Sequence, residues 1–188
     1  MPKPQLGRVL SVIRDPMVSD HFTLNIPAVP TGTEDVEPLL IHCQSTSKPG
    51  VTVDEVAVAL FGHTFVYAGR KVFAHDLNVT YVENVRGTIH RSMELWAQLI
   101  RGTHTQHGRF HRGQNSGAGG GYATNGRLSI YDNVGELVLE YTLYDMWPAT
   151  IPEIALDGTA SNLITHQIGF KYNWYEATGG YSMRQSGF

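Results

Sequence analysis

The residues best suited to chemistry lie in one short run, HTQHGRFH, with His104, His107 and His111. Imidazoles at such spacing could bind zinc through their ring nitrogens. No firm second element fixes their geometry, which favours histidines that face solvent or touch a neighbouring chain. The only cysteine, Cys43 in LLIHCQS, has no plausible nucleophile context and reads as a small buried hydrophobe. GAGGGY fails the dinucleotide-binding glycine pattern at its last position, no P-loop lysine follows a glycine run, and no G-x-S-x-G elbow is present. The sequence therefore predicts no catalytic residue, no metal and no cofactor, and not an enzyme.

What the chain does offer is charge arranged in blocks. From Leu95 to Tyr131 there is no Asp or Glu, while Arg101, Arg109, Arg112 and Arg127 fall inside. A basic, glycine-rich loop can contact phosphates. It can equally meet an acidic surface, and one is available in Glu34, Asp35 and Glu37 with Asp54 and Glu55. An acidic end and a basic end on one subunit favour head-to-tail stacking, in which each copy neutralises the next. The net charge is -3 and the isoelectric point about 6.3, so protein contact is the favoured reading over nucleic acid. Charged residues make up only 16% of the chain, against the usual quarter or so. A surface that sparse in charge is often partly hidden against other chains.

At 188 residues the chain suits one domain with a sizeable core, spanning 1–188. A lone cysteine cannot form an internal disulfide and fits a reducing cytosol. The start, MPKPQLGRVLSVIRD, lacks the apolar run of a signal peptide, and no stretch approaches membrane-spanning length. The expectation is a soluble protein made in the cytoplasm, with no membrane partner.

Most of the chain reads as strand. HFTLNIPAVP alternates Phe22, Leu24 and Ile26 with polar residues, and EPLLIHCQS is a further strand candidate. DEVAVALFGHTFVYAG is apolar on both faces, which predicts a segment covered on both sides, with a hairpin turn around Gly69 in YAGRKV. DLNVTYVEN alternates Leu77, Val79 and Tyr81 with Asn78 and Thr80. One helix interrupts: Ile89, Met93, Trp96 and Ile100 recur at spacings of four, three and four, with Thr88 as N-cap and Gly102 as the glycine past the end. A long glycine- and histidine-rich loop follows over 101–126. Asp132-Asn133-Val134-Gly135 then makes a hairpin turn. In EYTLYDMWPATIPEI the ladder should stop or bend at Pro148, which has no N–H to donate. NLITHQIGFKYNWY is one long final strand with Ile168, Phe170, Tyr172 and Trp174 on one face, and 176–188 is a flexible tail. The fold class is mainly β, an antiparallel β-sandwich or barrel with one flanking α-helix. Trp147 and Trp174 join the helix stripe as candidates for packing in the core.

LNVTYVENVRGTIHRSMELWAQLIRG resembles the strand, acidic turn and helix of tail tube proteins from contractile-tail bacteriophages, with Glu83 in the turn and Trp96 near the helix end. The closing portion is similar too: a strand ending IYD, a glycine turn, Trp147-Pro148, an Ile-Pro-x-Ile-x-Leu segment, and a last strand ending in aromatics at Tyr172 and Trp174. The resemblance spans about residues 74–176. It departs over the first sixty or so residues and in the length of the 101–126 loop.

The resemblance implies a structural virion protein related to the inner tubes of type VI secretion systems and pyocins. Hexameric rings would stack into a tube inside a contractile sheath, assembled in the host cytoplasm, and DNA would pass through without specific binding. Its partners would be itself, the sheath, a baseplate or tube initiator, and a tail terminator. Polar, weakly acidic strand faces, Glu140 with Thr142 or Thr165 with Gln167, are candidates for the lumen wall, because phosphate-gripping groups there would slow passage. The alternatives are a tube-like baseplate or terminator ring on the same fold, or a nucleic-acid-binding β-barrel.

Overall fold

A computed structural model describes residues 18–29, 37–102, 121–154, 156, 159 and 161–179. In chain order the elements are β1 (Phe22–Asn25), α1 (Glu37–Ile41), β2 (Cys43–Thr46), β3 (Val51–Leu60), β4 (His63–Phe73), β5 (Asp76–Val82), α2 (Thr88–Ile100), β6 (Thr124–Tyr131), β7 (Leu137–Thr150), β8 (Thr165–Lys171) and β9 (Trp174–Gly179). All strand pairings are antiparallel.

Two sheets share one core. In the β5 sheet the order is β2, β5, β8 and the second part of β7. The period-2 pattern of β5 sends Leu77, Val79 and Tyr81 inward, and register sets them against Phe170, Ile168 and His166 of β8. In the β6 sheet the order is β1, β6, the first part of β7, and β9. There Leu24, Leu128 and Tyr141 lie side by side across three strands, facing the same cluster of buried side chains.

β7 joins the sheets by belonging to both. Leu137–Met146 pair with β6 and Leu139–Tyr144 with β9, whereas Trp147–Thr150 pair with β8. The chain turns at Asp145, whose φ is +54°, a left-handed conformation that short polar residues tolerate best. Asn125 Oδ1 accepts the Asp145 N–H at 3.3 Å, and Asn173 Nδ2 donates to Asp145 Oδ2 at 2.6 Å. The bend thus precedes Pro148 instead of falling on it. The ladder continues through the proline, opposite Phe170. There the end of β7 pairs on one side only among the described residues, the edge position at which a proline is tolerated.

Helix α2 closes the core with Ile89, Ser92, Met93 and Trp96, all fully buried. Trp96 rests against Phe170 at 6.1 Å between ring centroids and donates Nε1–H to the Tyr122 carbonyl at 2.6 Å. Trp96→Phe keeps an aromatic ring but leaves that carbonyl without its donor. It should cost about 1–3 kcal/mol in urea melts of the dissociated chain. Thr88 is not the N-cap: Gly87 holds that position with φ +66° and offers no side chain. At the other end Arg101 is extended, and Gly102 is not among the left-handed glycines.

Three further expectations are corrected. Residues 37–41 of EPLLIHCQS are helical, and only Cys43–Thr46 form a strand. The hairpin of the next segment turns at Phe61 and Gly62, with φ +50° and +80°, the primed geometry that matches strand twist; Gly69 lies inside β4, against the Asp54 carbonyl. The last strand is two strands, β8 and β9, with residues 176–179 paired to β7 and not part of a tail.

Candidate assembly surface

The most unusual surface is the β3–β4 hairpin. Among the described residues it pairs only with itself, from Leu60↔His63 to Val51↔Phe73. Nearly every residue in it is exposed, including Val53 at 60%, Val66 at 62% and Phe61 at 99%. Val56 and Val58 lie on one face with Phe65 and Tyr67, and Ala57 opposes Val66 on the other. The two apolar faces noted in the sequence are real, but no described residue covers them. A two-stranded ribbon alone is marginal in water, and a patch this apolar marks an interaction surface. Its one cross-strand ion pair, Arg70 Nε to Asp54 Oδ2 at 3.1 Å, is exposed and adds little.

The ribbon is fixed at its base. Phe73 meets Tyr175 edge-on at 5.3 Å, and Lys71 Nζ sits over both rings at 5.0 and 5.5 Å. Tyr175 in turn contacts Tyr141 at 5.7 Å. The Ala74 N–H donates to the Gly50 carbonyl at 3.1 Å where the two strands re-enter the body. A rigid base and an uncovered blade suit an arm that docks on another molecule.

At the opposite end of β5, Glu83 organises the start of α2. Its carboxylate accepts the N–H groups of Asn84 at 2.9 Å, Ile89 at 3.2 Å and His90 at 2.8 Å. Asn84 Oδ1 takes the N–H of Thr88 at 3.1 Å, and Arg91 N–H reaches the Gly87 carbonyl at 3.1 Å. Every N–H of the first helical turn is therefore satisfied although the cap residue is glycine. His166 Nε2 lies 2.8 Å from Glu83 Oε2, with side-chain exposures of 2% and 8%. Burial pushes the Glu83 carboxyl up, but the His90, Asn84 and Ile89 N–H groups and the His166 ring outweigh it and hold the carboxyl below its ordinary value. An ionised carboxylate only accepts hydrogen bonds, so His166 donates Nε2–H to it. The His90 ring stacks on His166 at 5.6 Å.

A family model described as phage tail tube protein matches residues 17–178. The chain belongs to the phage tail tube protein family. The tail tube protein of Serratia phage KSP90 is 21% identical over 145 residues, 77% of each chain. A chain in the sheath–tube complex of the PVC extracellular contractile injection system superposes with a TM-score of 0.60, covering 93% of this chain and 98% of that one at 12% identity. A chain in the structure of the PVC sheath/tube terminator superposes with a TM-score of 0.62 over 89% of this chain and 100% of its own, also at 12% identity. The family is structural, not enzymatic, and the likenesses show that the antiparallel sandwich is the tail tube fold.

On that fold the residues singled out by sequence fall in separate places. Glu37 opens α1, Asp54 and Glu55 sit on the exposed hairpin, and Arg101 is exposed just past α2. Glu34, Asp35, Arg109, Arg112 and the three loop histidines lie outside the described residues. Glu140 and Thr142 are on the outer face of the β6 sheet, beside Arg127, whose Nε is 3.6 Å from Glu140 Oε1. Thr165 and Gln167 are on the outer face of the β5 sheet. Ile89, Met93 and Trp96 are buried, Ile100 is half-buried, and Trp147 is half-buried with its ring edge-on to Tyr122 at 6.0 Å. Trp174 is not a core residue: it is 43% exposed and stacks on Tyr144 at 5.5 Å, because the chain crosses to β9 after Asn173 and its alternation restarts on the other sheet. Sequence reading missed the Phe61 tip and the Tyr175–Phe73 anchor. The signal for the first was the Phe61-Gly62 pair between two apolar runs.

Proposed function

We propose that this tail tube protein forms hexameric rings that stack into the inner tube of a contractile phage tail, the conduit through which the genome reaches the host. One observation carries the reading: the β3–β4 hairpin, held at its base, exposes apolar side chains on both faces that none of the described residues covers. A second copy is the simplest cover. An arm on one side of a subunit docking on a different surface of the next is a heterologous contact, which closes into rings or propagates into tubes. The sheath, a baseplate or initiator, and a terminator are the expected partners, and the mature location is the virion after assembly in the host cytoplasm.

A terminator ring is the second reading, supported by superposition on a chain of the PVC sheath/tube terminator structure as good as on a chain of the PVC sheath–tube complex. Negative-stain electron microscopy of the purified protein across a concentration series separates the readings. Hollow tubes of uniform width are expected. Rings that never lengthen, even with a baseplate initiator added, favour the terminator. A monodisperse monomer at high concentration overturns assembly altogether and leaves a nucleic-acid-binding barrel to be examined by salt-dependent DNA binding.

A further inference from the structure

The β3–β4 arm carries an irregularity that both of its ends impose. At the tip, the turn at Phe61 and Gly62 sets Leu60 opposite His63. Counted from there, an unbroken ladder would bring Val51 opposite Val72. Val51 instead stands opposite Phe73, whose ring is held by Tyr175. The tip and base registers therefore differ by one residue. Val53 pairs with Lys71 and Glu55 with Ala68, so Asp54 alone faces both Gly69 and Arg70. The extra residue lies in β4 and makes a β-bulge.

Side-chain chemistry fixes where the bulge sits. A Cβ on residue 69 would lie 2.9 Å from the Asp54 carbonyl oxygen, closer than side-chain carbons approach, so glycine lets the two strands meet there. Arg70 Nε reaches Asp54 Oδ2 at 3.1 Å across the bulge, with both side chains exposed. An ion pair in that setting adds little by itself.

The bulge decides which side of the arm looks where. β3 alternates without interruption, so Val51 and Val58, seven residues apart, lie on opposite faces. Phe73 goes with the first and Phe65 with the second. In an unbroken β4 those two rings, eight residues apart, would share a face. With the bulge, Phe73 and Lys71 turn back onto Tyr175 of their own subunit, while Val58, Phe65 and Tyr67 look the other way. A bulge also bends its strand and adds right-handed twist, so it sets the angle of the blade beyond the anchored base.

We propose that the Gly69–Arg70 bulge is the element that aims the arm at a second copy of this chain. It turns the face of Val58, Phe65 and Tyr67 away from the arm's own subunit and fixes the angle at which that face arrives. The proposal rests on the tube reading above and names a positioning element for it. A heterologous contact closes into a ring or propagates into a tube only when every copy presents its arm in the same direction. A two-stranded ribbon with no described residue packed on its blade has little else to hold that direction. An error of angle at one joint recurs at every joint, so both ring closure and stacking are sensitive to it.

Sedimentation and electron microscopy of three variants of the full chain test this. Gly69→Ala forces the bulge to move. Deletion of Arg70 removes the extra residue and leaves Gly69 alone opposite Asp54 in an unbroken ladder. Arg70→Gln keeps the residue count and removes only the ion pair. Gly69→Ala and the deletion are each expected to raise the concentration needed for assembly by about tenfold or more. Tubes they form at higher concentration should show a changed twist from ring to ring. Urea midpoints of their dissociated subunits should stay at the unsubstituted value, because the blade lies outside the core. Arg70→Gln should assemble as the unsubstituted chain does. Assembly of the deletion variant at the unsubstituted concentration and twist overturns the proposal, whatever Gly69→Ala does. So does an equal loss in Arg70→Gln, which would assign the effect to the ion pair. A fall in urea midpoint in both bulge variants overturns it as well, since the bulge would then serve the subunit's own fold. Disordered aggregates in place of tubes do the same, by making the bulge a guard for free strand edges. If the unsubstituted protein forms no tubes, the tube reading itself has failed, and that is visible by microscopy before any variant is compared.

Discussion

Replacing Glu83 with alanine should lower the stability of the dissociated subunit by about 3–5 kcal/mol, because several buried donors lose their acceptor at about 1–3 kcal/mol each. The effect is large because one carboxylate does three things. It satisfies the N–H groups of Ile89 and His90 at the start of α2, fixes the turn through Asn84, and receives Nε2–H of His166. Alanine does none of them, and His166, 2% exposed at its side chain, cannot turn to water. The helix it anchors carries Trp96 into the core, so the loss spreads beyond the turn. In thermal melts the expected fall is roughly 10 °C, taking about 2–4 °C per kcal/mol for a chain of this size. Glu83→Gln keeps the shape and should fall between, since its carbonyl accepts but its amide group faces donors.

The same carboxylate sets an acid limit. Its carboxyl lies lower in the folded chain than in the unfolded one, so the folded state favours the ionised form. That stability is fully present above the unfolded value of about 4.3 and drains away as pH falls through the folded value. Urea melts of the wild type and Glu83→Gln between pH 7 and pH 3 should converge as the solution is acidified. A gap that stays constant with pH would show that Glu83 is not ionised in the fold.

How much of this could be read from sequence depended on whether neighbours in the chain carried the signal. The β5 alternation and the α2 stripe are local periodicities, and Leu77, Val79, Tyr81, Ile89, Met93 and Trp96 are buried as those patterns require. The Glu83 turn was visible as an acidic residue before a helix, but its partner His166 is 83 residues away, and no local pattern announces such a pair. Pro148 drew attention as a strand breaker, while the bend came from Asp145, whose left-handed backbone depends on Asn125 and Asn173 from other strands. Trp174 seemed to continue the buried face of β8 because the alternation does continue in sequence. The chain changes sheets at Asn173, and a change of sheet does not show in a period of two. The hairpin is the opposite case. Its sequence announced two apolar faces, and the expectation of a cover on both sides fails among the described residues.

That failure gives the second large effect. Val58→Asp places a charge on the hairpin face shared with Phe65, and Val66→Asp places one on the face shared with Ala57. Both side chains are already exposed in the subunit, so each change should alter subunit stability by no more than about 0.5 kcal/mol. Assembly is another matter. An unpaired carboxylate pressed into an apolar contact costs about 3 kcal/mol or more even with partial relaxation, which corresponds to roughly a hundredfold rise in the concentration needed for assembly. In a ring that cost recurs at every joint, so the expected result is well-folded protein that stays monomeric where the unsubstituted chain forms tubes. Sedimentation and electron microscopy at matched concentrations measure it, and circular dichroism confirms that the fold survives. If both variants elongate like the original, the arm is not buried between copies, and its apolar faces must be assigned to a different tail component. If only one variant is blocked, that face is the one a neighbouring subunit covers. The other is then free to meet the next ring, and the difference between the two variants would say which side of the ribbon closes the ring and which extends the tube.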